Sequence, residues 1–226
     1  MLYLLIIFLE IIILFLLSKV LPSFLTQIFY FFVRSRRVAI WLLSIIFLPG
    51  TLIHEMAHLL VAGVSLVPVG DISLMPEIHE EGVKLGHVEI QKTDPIRRAL
   101  IGFAPVFVGL GMLTGIIFFA NSQFFDRGIY PIWLIMTLLY LEVVIGNTMF
   151  SSRKDLEGTL GVVVVFTAVL GAIYLLGFES FFSFLKANLI DNQLGFYRNF
   201  AFFLAIPVIG DILVYILAKF LVKKMY

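Results

Sequence analysis

Residues 38–64 read VAIWLLSIIFLPGTLIHEMAHLLVAGV, an apolar run longer than the roughly 20 residues a helix needs to cross a bilayer. Its second half carries two histidines and a glutamate. On a helix His54 and His58 lie one turn apart on a common face, so both imidazoles can reach one metal ion. Glu55 stands beside them, placed to act on a metal-bound water. Ionisable side chains in hydrocarbon are costly unless they face a protein interior or a wet cavity, so the triplet marks a functional site.

The rest of the composition agrees with a bilayer setting. Of 226 residues 61% are hydrophobic, 24 are Phe and only 14% are charged, with a mean hydropathy of +1.07; a soluble domain carries about 25% charged residues. The lipid bilayer is the expected surroundings. A net charge of +1 and the lack of a long basic run exclude a nucleic-acid partner. Cysteine is absent, so a metal site must be built from His, Asp and Glu.

Outward from residues 38–64, six stretches have spanning length, which predicts an all-α polytopic membrane protein of about six transmembrane helices. The first is Leu2 to Leu21, read as retained because Glu10 interrupts it and no Lys or Arg precedes it. Phe24 to Val33 is too short to span and is expected as an interfacial connection ending in Arg34, Arg36 and Arg37. Later spans are expected at Ile96–Ala120, Ile129–Phe150, a stretch after Gly158 reaching Gly177, and Phe200–Leu221. Between the second and third, residues 66–94 are rich in charge, Pro and Gly. There residues 70–76 and 84–91 read as two strands around a turn near Glu80 to Gly82, a small surface β-hairpin. No internal repeat divides the chain, so residues 1–226 are expected to form a single membrane domain.

A catalytic zinc site takes three protein ligands and leaves one position open. A third histidine six residues beyond His58 is excluded, because that position holds Val64. Glu77, Glu80 and Glu81 have the separation for a ligand from a second helix, but Pro68, Gly70, Pro76 and Gly82 oppose a helix there. Asp155 is better placed. His54 lies ten residues before Val64, about 15 Å along the helix, so the site opens toward the hairpin. Two more spans cross away and back, returning the polar run Ser151 to Gly158 to that side. The alternative for Asp155 is a solvated acid paired with Arg153 or Lys154, and for the histidines a pair hydrogen-bonded to neighbouring helices.

The HExxH helix, the hairpin, two further spans and an Asn eight residues before an Asp together resemble the site-2 protease family of intramembrane zinc metalloproteases. The resemblance covers about Val38 to Gly177. It implies that Asp155 is the third zinc ligand, that Glu55 is the catalytic base and that Asn147 contacts the substrate, a membrane protein segment. Phe150 stands where that family has Pro, and Leu156 where it has Gly, so the break after the fourth span is expected to differ in shape. Ala104-Pro105 loosely matches the family's Gly-Pro in the preceding span.

Two other functions are compatible with the residues: a membrane protein that binds or moves a divalent metal, using Glu10 or Glu142 as relays, and an inactive relative that binds membrane partners. Asp211, after Pro207 and Gly210, is expected to satisfy a kinked backbone or line the cavity. His79 and His87 read as hairpin surface. Lys223 and Lys224 place both termini on the cytoplasmic side of what is expected to be the cell membrane, while Arg34, Arg36 and Arg37 oppose that orientation.

Overall fold

Helix punctuation sets the architecture. The computed structural model describes residues 2–73, 77–79, 82–84, 86–128, 131–150, 155, 159–175 and 194–225. In chain order they form α1 (Leu2–Val33), α2 (Arg36–Val64), β1 (Val69–Ser73), β2 (Glu77–His79), β3 (Gly82–Lys84), β4 (His87–Ile90), α3 (Pro95–Asn121), α4 (Ile132–Thr148), α5 (Thr159–Leu175) and α6 (Leu194–Met225). A π-helical turn, Ser122–Asp126, continues α3. Among the described residues α1, α2, α3 with its extension, and α6 are long and apolar enough to cross a membrane. The apolar helices α4 and α5 have 17 residues each, about 25 Å of helix, at the short end of a spanning length. The protein is an all-α polytopic membrane protein.

One expectation is corrected. Phe24 to Val33 is not a separate connection; it continues α1 straight through Pro22. Proline removes one backbone donor, but nothing else near it ends a helix, and Leu21, Leu25 and Phe29 recur every turn. That stripe packs against Leu43 and Phe47 of α2 and Val144 of α4, so burial carries the helix past the missing hydrogen bond. The chain turns only at Arg34, whose φ of 51° is left-handed. Arg34 N–H closes onto Tyr30 O at 2.8 Å and Ser35 caps α2.

The segment between α2 and α3 is a β-ribbon in two antiparallel parts. β1 pairs with β4, Val69 opposite Ile90 and Ser73 opposite His87, and β2 pairs with β3, Glu77 opposite Lys84. Of the expected turn, Glu80 and Glu81 lie outside the described residues. The base of the ribbon is fixed by apolar contact: Val69 and Ile90 pack on Ala62, Val67 and Ile101. From there β4 runs back alongside α2 until Gly86, which is buried, reaches Thr51 and Glu55.

The main core joins α1, α3, α4 and α6 through Leu14, Leu113, Ile117, Ile145, Met149, Phe200, Leu204 and Val208. Two glycines decide how closely α4 can lie. A Cβ at Gly50 of α2 would overlap the Thr148 hydroxyl and come within 2.7 Å of a Val144 methyl, and one at Gly109 of α3 would overlap Met149. The C-terminal turn of α4 is thus wedged between α2 and α3. A Cβ at Gly111 or Gly115, by contrast, would meet no atom within 4 Å among the described residues.

Asp94 caps α3, its Oδ1 accepting from the amides of Ile96 (3.1 Å) and Arg97 (3.0 Å). Hydrogen bonding from the Arg97 amide holds its carboxyl below the ordinary 3.8. A depressed carboxyl stabilises the fold above its ordinary pKa, and the contribution is lost as pH falls through the lower folded value. Asp94→Ala is therefore expected to lower the apparent Tm in detergent at pH 7, and the gap to wild type should narrow at an acid pH below the ordinary carboxyl value. A gap of equal size at both pH values would show that the cap acts through something other than its charge.

Candidate metal centre

His54 and His58 project from the same face of α2, one helical turn apart. Their ring centroids are 4.9 Å from each other and the planes cross at 80°. Each ring is oriented from behind by a main-chain carbonyl. His54 Nδ1 lies 2.6 Å from Thr148 O, and His58 Nδ1 lies 2.9 Å from Ile101 O. A carbonyl only accepts, so each Nδ1 carries the hydrogen and each Nε2 keeps its lone pair. This is how metal-ligating histidines are commonly fixed in tautomer and direction.

The two carbonyls are available for reasons that can be traced to the sequence. Helical hydrogen bonding would give Ile101 O the amide of residue 105, but residue 105 is proline and has no N–H. The orphaned acceptor takes the proton of His58 instead. Thr148 is the last residue of α4, and the final carbonyls of a helix lack intrahelical donors. Gly50, one turn before His54, lets α4 approach closely enough for that free carbonyl to reach the imidazole.

Asp155 completes the group. Its Oδ2 is 4.0 Å from His54 Nε2 and its Oδ1 is 3.8 Å from His58 Nε2. Among the described residues this is the one cluster of three or more His, Cys, Asp or Glu side chains whose ligand atoms, all within 4.8 Å of one another, can hold one ion. Zinc bonds of about 2.0–2.2 Å in a tetrahedron separate ligand atoms by about 3.3–3.5 Å. The two measured gaps exceed that by about half an ångström, a contraction that side-chain rotation supplies. Two neutral imidazoles and a carboxylate suit a divalent cation, and the residues fit a metal ion. Asp155 is one-fifth exposed whereas the His58 side chain is only 3% exposed, so the Asp155 side is the more open side of the cluster.

Glu55 follows His54 and is turned about 100° around the helix. It is 6% exposed and lies under the β-ribbon: a Cβ at Gly86 would sit 2.9 Å from the Thr51 methyl, 3.1 Å from Ser73 O and 3.3 Å from Glu55 Oε1. Only a residue without a side chain lets the ribbon lie this close to the glutamate.

Asn147, expected at the substrate, directs its amide to α6. Its Nδ2 donates to Asp211 Oδ1 of α6 at 2.9 Å and to Val143 O at 3.0 Å. Glu77, the alternative ligand, belongs to a strand; the other two, Glu80 and Glu81, lie outside the described residues, as does Gly158. Phe150 packs edge-on against Phe15 of α1 at 5.5 Å, which anchors the residue just past α4 to the first helix. Glu10 and Glu142 each bury a carboxylate oxygen with no hydrogen bond among the described residues.

Nothing in the spacing of the sequence singles out Gly50, and Gly86 reads there only as one of the glycines that break up residues 66–94. The proline-minus-four rule, applied to an apolar helix near a histidine, is the signal that leads to Ile101 O. No protein-family model, curated protein or solved structure matches this chain, so the reading of the site rests on its own residues and geometry.

Gly50→Val is expected to push the last turn of α4 off α2, detach Thr148 O from His54 and weaken divalent-metal binding by about 10–100-fold, the usual effect of losing an outer partner of a ligand. Isothermal titration of the purified protein with Zn2+ measures this. An unchanged affinity would mean that the carbonyl does not orient His54.

Proposed function

We propose that the protein is an intramembrane zinc metalloprotease that hydrolyses peptide bonds in membrane-spanning or membrane-proximal segments of other proteins. The observation that supports this most directly is the convergence of His54, His58 and Asp155 beside a buried glutamate within the membrane domain. A 2-His-1-carboxylate donor set also suits Fe(II); the acid next to the first histidine favours hydrolysis, since an HExxH helix pairs its metal ligands with a general base.

Zinc held by His54, His58 and Asp155 supplies Lewis acidity, which activates water near neutral pH and polarises the scissile carbonyl. Glu55 takes the proton from the attacking water and delivers it to the leaving amine. Burial under the ribbon keeps Glu55 beside the reacting water and away from bulk solvent, so that proton transfer stays within the site. The carbonyls of Ile101 and Thr148 hold both imidazoles with Nε2 toward the substrate space.

A helical substrate hides its carbonyls in its own hydrogen bonds and must be drawn out into extended form before attack. The β-ribbon is the element suited to this. β1 and β4 pair only with each other among the described residues, and an extended segment can add beside either as a further strand. Gly86 at the inner end would bring that strand beside Glu55. Proline introduced along one edge of β1 or β4 is expected to abolish cleavage while leaving metal binding intact; cleavage that survives proline on both edges would remove the ribbon from substrate binding.

Glu55 discriminates hydrolysis from simple metal binding or transport, the reading that the buried carboxyls of Glu10 and Glu142 favour. Mass spectrometry of the detergent-purified protein is expected to find about one zinc per chain, lost in Asp155→Ala and retained in Glu55→Gln. Glu55→Gln is also expected to abolish proteolysis of a reconstituted membrane substrate. A Glu55→Gln variant that still cleaves would exclude the general-base role, and wild type without zinc after reconstitution would remove the main support for the protease reading.

A further inference from the structure

Asp211 is one of the buried ionisable groups that the chemistry above leaves unused. It lies on α6, is 1% exposed, and accepts a hydrogen bond from Asn147 Nδ2 at 2.9 Å. Its Oδ2 and Asn147 Oδ1 are both buried and make no hydrogen bond among the described residues. A carboxyl in this setting is a poor stabiliser, since a well-packed apolar pair usually does as well or better. Its location is more telling than its strength.

Asn147 immediately precedes Thr148, whose carbonyl orients His54. That carbonyl belongs to the last peptide of α4, where the helix no longer holds its own acceptors. The same peptide's N–H, that of Met149, donates to Ile145 O at 2.9 Å, so the peptide plane is tied to the last turn of α4, and a ring directed by one hydrogen bond follows any displacement of that turn unless a neighbouring helix fixes it. Asp211 is suitably placed: α4 and α6 meet where Gly146 faces Pro207 and Val143 faces Gly210, which brings the carboxylate to the last turn of α4. Gly50 confines the same turn on its other side.

We propose that Asp211 is a positioning residue for the metal centre, holding the α4 terminus through Asn147 so that the Thr148 carbonyl fixes the tautomer and direction of His54. The inference rests on the reading of His54 as a ligand, but its central claim, the state of the His54 ring, can be measured without metal. Asn147 then serves the ligand shell from behind.

The test uses full-length protein in detergent. The chain has four histidines, so nitrogen NMR of histidine-labelled apoprotein can follow the His54 ring, and Co2+ titration reads affinity and ligand geometry. Wild type is expected to show His54 locked with its hydrogen on Nδ1. Asp211→Leu should release it to a mixture of tautomers, weaken Co2+ by about 10–100-fold and change the visible spectrum of the cobalt form. Asp211→Asn should behave like wild type, because a carboxamide can accept from Asn147 Nδ2 and donate to Asn147 Oδ1.

A residue that only packed the helices would lower thermal stability without changing the ring. A locked His54 in folded Asp211→Leu therefore overturns the proposal, as does an unlocked one in Asp211→Asn. If Asp211→Leu does not fold, Asn147→Leu breaks the same link from α4, and a locked ring there counts equally against it. Failure of wild type to take up Co2+ would sink the metal reading, while the tautomer comparison would still decide the role of Asp211.

Discussion

A polar group placed within a bilayer has no water to fall back on, and this protein meets that constraint with backbone acceptors released from helical hydrogen bonding. Pro105 frees the carbonyl of Ile101, and the end of α4 frees that of Thr148. Each receives the Nδ1 hydrogen of one histidine. The same two bonds satisfy the helices and direct both imidazole lone pairs at Asp155. Without them the histidines would be buried donors in competition with one another, and the cluster would have no preferred direction.

The packing around the site follows from this need. For Thr148 O to reach His54, α4 must lie against α2 more closely than ordinary side chains allow, and Gly50 removes the obstacle. Gly109 does the same on the α3 side, so that Met149 can fill the main core while the next residues leave the helix. Phe150 then packs on Phe15. The seating of the α4 terminus between its neighbours is thus built from small residues at the contacts and an aromatic anchor at Phe150. The β-ribbon obeys the same rule, since Gly86 lets main chain rest on Thr51 and Glu55.

Burial also organises the polar residues outside the cluster. Glu55 is covered by the ribbon, Asp211 is covered by α4, and Asn147 connects α6 to the helix end that orients His54. First ligands, their carbonyl partners and the groups behind those carbonyls form a continuous series from α6 to α2. Such layering is what a metal site requires if small rotations of its ligands are to be resisted.

By itself the sequence determined the membrane class, most of the helices, the ribbon between the second and third, and the pairing of His54 with His58. These are local or compositional: a run of apolar residues has one low-energy state in lipid, and a four-residue spacing has one meaning on a helix. It also favoured Asp155, because spans crossing away and back return that segment to the side of the site. Tertiary structure alone decided that α1 continues through Pro22, since burial of Leu21, Leu25 and Phe29 outweighs one missing hydrogen bond. It decided as well which carbonyls orient the histidines, that Gly50 and Gly86 are points of close approach, and that Asn147 faces Asp211, 64 positions away. Those outcomes depend on which helices become neighbours and at what height, and no spacing within one segment encodes the distance between two.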